Sequence, residues 1–114
     1  MALKLLRRSE NGTTTIAVSA ATSAPIVFDG YSFGGFILPA EYDGTTGITF
    51  TVCDTRGGTY VALEDATGAA ISVVGEASKA YAFPPEIFAF PYGKIVAPGN
   101  QSTTDTVIPV CLRA

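Results

Sequence analysis

Between residues 46 and 53 apolar and polar side chains alternate without a break: Ile48, Phe50 and Val52 take one parity, and Thr49, Thr51 and Cys53 take the other. A period of two sends the first set to one side of a strand and the second to the opposite side. Similar short runs recur along the chain: TTTIAVS (13–19), PIVFD (25–29), FGGFIL (33–38), TYVAL (59–63), AAISVV (69–74), SKAYAF (78–83), YGKIV (92–96) and TVIPVCLR (106–113). Gly, Pro, Asp and Asn collect between them, where turns need their backbone conformations and side-chain hydrogen bonds. Eight or nine short strands, closely spaced turns and no convincing helix predict an all-β fold, an antiparallel β-sandwich of jelly-roll type.

Local signals refine this plan. Gly34 and Gly35 inside an apolar run predict a bulge or a close backbone approach. DTRGG (54–58) predicts a tight reversal, with Asp54 supplying a side-chain hydrogen bond and the glycines a positive φ. EDATG (64–68) predicts a second turn, so residues 46 to 74 read as a three-strand meander. Pro84-Pro85 blocks regular pairing, and PEIFAF (85–90) predicts one helical turn, with Glu86 in its first turn and Pro91 as its stop. In the last run Ile108, Val110 and Leu112 share a face, while Pro109 faces away and predicts an edge or bulged position.

With 114 residues the chain forms one domain, and burial of roughly 65% of its unfolded surface gives it a core without staples. Apolar residues make up 47% and charged ones only 15%. Thr, Ser and Gly therefore keep the surface polar, a composition that suits strands and also a protein covered by neighbours. Net charge is −3, and Lys4, Arg7 and Arg8 against Glu10 make the first ten residues basic while the rest is acidic. An acidic body lacks the clustered Lys and Arg that displace counterions from nucleic acid. The opening MALKLLRRSE is interrupted by Lys4 and too short for a secretory core. No later window approaches the ~18 apolar residues of a membrane span. Residues 1–10 read either as a frayed terminus or as an arm, in which Leu3, Leu5 and Leu6 flanked by Lys4, Arg7 and Arg8 dock onto an acidic neighbour. Residues 11–114 form the sandwich.

Catalytic chemistry finds little to work with. The chain has no His, which removes the commonest general base and metal ligand and the Ser–His and Cys–His pairs. Glu41 with Asp43 and Glu64 with Asp65 are neighbours in loops, whereas a carboxylate pair for glycoside hydrolysis faces itself across a substrate. The same acids lack the alternating ligand pattern of a calcium loop and read as caps of their own turns. No phosphate-binding glycine loop occurs. Cys53 and Cys111 are too few for zinc and read as free, partly buried thiols. No cofactor and no enzymatic activity are expected.

Aromatic side chains are the remaining resource. YAFPPEIFAFPY (81–92) concentrates them, and two roles are open. Phe83, Phe88 and Phe90 plug the end of the sandwich, or Tyr81, Phe88, Phe90 and Tyr92 form a patch that another subunit covers. A glycan platform is a weaker third role, since Trp is absent.

The order of the motifs LPAEYDGTTGITFTVCDTRGGTYVALEDATG, FPPEIFAFPYGKIV and NQSTTDTVIPVCLR, over residues 36 to 113, resembles small β-sandwich structural proteins of tailed bacteriophages. The matching stretches are Pro39 to Tyr42 with Gly44, Ile48 to Val52, Asp54 to Tyr60, Pro85 to Phe88, Tyr92 to Val96 and Val107 to Arg113. The resemblance implies a virion component assembled in the host bacterial cytoplasm. Its first form is a decoration, or cement, protein on the outer capsid surface, often a trimer, that clamps neighbouring major capsid protein subunits. Its alternative is a head-fibre, neck or tail-associated module that binds a host glycan. The first ten residues have no counterpart in the resemblance.

Overall fold

The computed structural model describes residues 9–43, 46–101 and 104–114. Nine strands run along them: β1 (Ser9–Ile16), β2 (Ile26–Val27), β3 (Phe33–Ile37), β4 (Ile48–Cys53), β5 (Val61–Ala62), β6 (Ser72–Val73), β7 (Ala80–Ala82), β8 (Tyr92–Val96) and β9 (Thr106–Arg113). They form two antiparallel sheets, ordered β1-β9-β3-β7 and β2-β8-β4-β5, with β6 also beside β4.

These orders have one origin. Ser9 pairs with Arg113, Ile26 with Gly93, Gly35 with Ala82 and Ile48 with Val73. Each pair is centred close to Tyr60. The chain is thus one long antiparallel hairpin whose tip is the β4–β5 reversal. Successive rungs of it are sent alternately to one sheet and then the other. Rolling such a hairpin gives the jelly roll, as the alternation of short strands predicts.

The core lies between the sheets. β9 buries Ile108, Val110 and Leu112, and β4 buries Ile48, Phe50 and Val52, each at every second position. Phe28, Phe83 and Phe88 close one side with edge-on rings, Phe28 lying 5.0 Å from Phe83 and 5.3 Å from Phe88. Residues Pro85–Ala89 form a 3-10 helix that drops Ile87 fully into the core. A buried apolar side chain of this size contributes about 1.5–3 kcal/mol.

Four local expectations change. β1 begins at Ser9, so Ser9 and Glu10 belong to the sheet, and it ends at Ile16 rather than Ser19. Beyond Ile16 the Val18 N–H donates to Asp105 Oδ1 at 2.8 Å, and Ser19 adopts φ 66°, which halts extension. The expected meander is replaced by β5 and β6 lying end to end along one edge of β4, at Thr51–Val52 and Ile48–Thr49. β4 is long enough to pair with both. Gly57 and Gly58 have no positive φ. Gly58 is required for space, since a Cβ there would meet Thr55 Oγ1 and lie 2.6 Å from Cys53 Sγ. Pro109 sits in the interior strand β9 with unbroken register to β1, just past Val110, where pairing with β3 stops.

Candidate interaction surfaces

The outward side of the β1-β9-β3-β7 sheet follows from its inward side. Because Ile108, Val110 and Leu112 face the core, Val107, Pro109, Cys111 and Arg113 face out. Because Phe36 is buried, Phe33, Gly35 and Ile37 face out. Register aligns these positions into rows: Ser9–Arg113–Phe33, Asn11–Cys111–Gly35–Ala82, Thr13–Pro109 beside Ile37–Ala80, and Thr15–Val107. Phe33 is 51% exposed, Ile37 45% and Val107 43%. Arg113 is the one charged side chain in these rows, and it is turned sideways, donating to Asn11 Oδ1 at 3.1 Å and to the Leu112 carbonyl at 2.8 Å.

An antiparallel sheet with one solvated face normally alternates apolar with polar, whereas near-continuous apolar runs belong to strands covered on both faces. β9 is of the second kind from Val107 to Leu112, apart from its central Pro, and β3 has only Gly, Phe and Ile. β1, with Ser, Asn and Thr on its outward parity, is of the first kind. The signal was present in the sequence: both parities of VIPVCL and FGGFI are apolar.

Sequence-based candidates scatter. Leu3, Lys4, Leu5, Leu6, Arg7 and Arg8 lie outside the described residues. Tyr81 points inward, its ring 5.9 Å from Phe36, and its hydroxyl accepts the Glu76 N–H at 2.8 Å. Phe88 is half-buried against Phe28 and Phe83. Phe90 is exposed and lines a shallow groove with Val61 and Thr59, floored by Val52 and Cys53. Tyr92 lies on the outward side of the other sheet, opposite Cys53. The 81–92 segment is therefore divided between core and surface and does not make one patch, because Ala80-Tyr81-Ala82 alternates and the 3-10 helix turns Ile87 and Phe88 inward.

Lys94 Nζ sits 4.2 Å above the Tyr60 ring, while Tyr60 Oη donates to the Arg56 carbonyl at 2.8 Å. Desolvation raises the Tyr60 phenol, helped by Cys53 and opposed by Arg56. Burial raises the Tyr42 phenol, with Asp43 adding to it. Asp65 is held below the usual carboxylate range by hydrogen bonds from the Thr67 hydroxyl and the Ala69 and Thr67 backbone. Both cysteines are free thiols, Cys53 buried and Cys111 half-buried. Among the described residues no three His, Cys, Asp or Glu side chains gather to hold a metal ion, and no helix is long and apolar enough to cross a membrane.

A buried Gln101 ties loops together. Its Oε1 accepts from Thr106 Oγ1 at 2.9 Å and from the Asp43 N–H at 3.2 Å. Its backbone bonds Ser19 and Ala20. No family model, no curated protein and no solved structure matches the chain.

Proposed function

We propose that the chain is a virion structural protein of a tailed phage, a decoration protein that seats on the outer capsid surface and stabilises the shell by adhesion. The observation that supports this is the outward face of β9 and β3, which has the composition of a covered surface and exposes Phe33, Ile37 and Val107. A rigid jelly roll whose exposed face wants a cover acts by being added to something. The resemblance to phage sandwich proteins supplies what that something is: the major capsid protein, with the chain present as a trimer. A specific interface buries about 1,600 Å² in total. Three linked copies multiply modest affinities through effective concentration. The surface added across subunit junctions then raises the barrier to rupture by the packaged genome.

The glycan-binding alternative has less support. One face of the Tyr60 ring, the natural platform on the second sheet, is already occupied by Lys94. The test is to prepare virions with and without the protein, image both and heat both. Density on the shell together with a higher rupture temperature is the expected result. Equal rupture temperatures, or density confined to the tail, would refute the proposal.

A further inference from the structure

We infer that residues 1–8 of one copy of this chain, MALKLLRR, dock into an open seam of a second copy, along the outer edge of β1. The segment lies outside the described residues, and the seam is its receiver. This seam is separate from the outward face of β9 and β3, so the docking is independent of the decoration role.

Both sheets end at the seam, one on β1 and the other on β2. Glu10 pairs with Leu112 and Gly12 with Val110, so these two β1 residues share the core-facing side with buried partners. Neither closes the core there. Gly12 has no side chain, and an ideal Cβ on it meets nothing within 4 Å. Glu10 is exposed, its carboxylate accepting from the Tyr31 hydroxyl at 3.2 Å. What is left is a cavity of about 180 Å³, lined by Glu10, Gly12, Ile26, Val27, Val110 and Leu112. Small-molecule sites start at about 300 Å³, so the seam suits an apolar side chain better than a free ligand.

The backbone of β1 is open along the same line. Thr15 turns its carbonyl away from β9 to accept the Ala24 N–H at 3.1 Å. In an antiparallel strand the N–H and C=O of one residue point the same way, and alternate residues agree. Ser9, Asn11 and Thr13 therefore turn both groups away from β9, and among the described residues no strand pairs with β1 on that side. β1 is eight residues long and has neither Lys nor Pro, the residues that usually guard an exposed edge. A segment that adds to a sheet edge takes affinity from main-chain hydrogen bonds and specificity from pockets for alternate side chains. This edge offers both.

Three features make residues 1–8 the occupant. First, pattern: Leu3 and Leu5 stand two apart, the spacing at which an added strand sends both to one face. Eight extended residues reach about 26 Å, against about 16 Å for the Ser9–Thr13 edge. Second, charge: Lys4, Arg7 and Arg8 are three of the chain's seven basic residues, while all ten acids, Glu10 at the seam among them, belong to residues 9–114. The segment is attracted to the body of another copy, where whole bodies repel each other. Third, reversal: MALKLLRR contains no Gly, Pro, Asn or Asp, the residues that a tight turn calls for. It runs into Ser9 with no means of folding back on its own β1, so the seam it fills is a second copy's. Segments passed head to tail also permit a closed ring, such as the trimer that the decoration role calls for.

The test begins with sedimentation equilibrium of the full chain from about 1 to 500 µM, which brackets micromolar affinities. Two variants follow: Leu3→Ser combined with Leu5→Ser, and Gly12→Leu, which fills the seam where its Cβ meets no atom. Circular dichroism and thermal unfolding check that both fold. Wild type gains mass with concentration, and each variant weakens association at least tenfold, Gly12→Leu without loss of thermal stability. To learn whose seam is filled, Leu5→Cys and Val27→Cys are combined in one chain and oxidised, with wild type and each single variant as controls for the native Cys53 and Cys111. Disulfide-linked dimers and larger species beyond those of the controls are expected on a non-reducing gel. A wild type that stays monomeric overturns the docking, as does association that a folded variant retains in full. Cross-linking confined to the monomer places a chain's own segment in its seam and overturns it too, as does cross-linking no greater than in the controls. A lone monomer that still coats capsids removes the docking and leaves the decoration role intact. A chain that associates by this route but is missing from virions supports the docking and ends the role.

Discussion

Gln101 Oε1 and Thr106 Oγ1 are joined by a 2.9 Å hydrogen bond in a site where Gln101 is 2% exposed and Thr106 fully buried. The same oxygen accepts the Asp43 N–H, so one side chain links the loop after β3 to the start of β9. Removing it strands a buried hydroxyl and a backbone donor, and each unsatisfied group costs about 1–3 kcal/mol. Gln101→Leu keeps the volume and loses the acceptor. Urea unfolding is expected to show it less stable than wild type by about 2 kcal/mol. A midpoint unchanged from wild type would mean that water replaces the amide at no cost.

Gly34 leaves no room for a side chain between β3 and β9. A Cβ there would run into the Cys111 carbonyl and lie 2.9 Å from Leu112 Cδ2. Backbone cannot yield as a flexible side chain does, so Gly34→Ala is expected to destabilise by about 1–3 kcal/mol, the range for overpacking. Gly12, in β1 of the same sheet, has nothing within 4 Å of its ideal Cβ. Gly12→Ala therefore gains backbone rigidity without a clash and stabilises by a few tenths to about 1 kcal/mol. Thermal unfolding of the two variants side by side checks the contrast, and shifts of the same sign would contradict it.

The parity of the apolar residues in β4 and β9 fixes which side chains are buried, and Ile48, Phe50, Val52, Ile108, Val110 and Leu112 are all in the core. Parity says nothing about partners. That β4 meets β8 on one edge and both β5 and β6 on the other depends on the roll of the whole hairpin, which no local pattern encodes. Gln101 was illegible for a different reason. It stands among Pro, Gly, Asn, Ser and Thr, a composition that reads as solvated loop, and its burial is imposed by Thr106 and Asp43 from elsewhere in the chain. The outward face of β9 and β3 was legible in principle. The aromatic residues of 81–92 are concentrated along the chain but not in space. Tyr81 turns in toward Phe36 and only Phe90 and Tyr92 turn out.

Thr51 Oγ1 is buried without a hydrogen-bond partner among the described residues. It lies on the outward parity of β4, between Lys94 of β8 and Ala62 of β5. A hydroxyl removed from water with nothing to bond costs free energy that a methyl does not. Thr51→Val preserves the branched shape and the strand preference, and is expected to stabilise the fold by about 1 kcal/mol. Chemical denaturation measures this. A loss of stability would show that the hydroxyl is bonded in solution.

Asp65 governs the turn between β5 and β6. One carboxylate oxygen accepts the Thr67 hydroxyl at 2.6 Å, the Thr67 N–H at 2.8 Å and the Ala69 N–H at 3.1 Å. These donors favour the ionised form, so the folded pKa lies below the ordinary aspartate value of about 3.9. The unfolded chain then binds this proton more readily than the folded one. The stabilisation is complete above the unfolded pKa and is lost as pH falls through the folded value. Asp65→Asn leaves one neutral acceptor and no titration. Its stability is expected to trail wild type at neutral pH, with the gap narrowing as the pH drops below about 4. Unfolding curves for both proteins between pH 2 and 7 measure that gap. A constant gap across the range would show that the turn is held by its backbone bonds and not by the carboxylate charge.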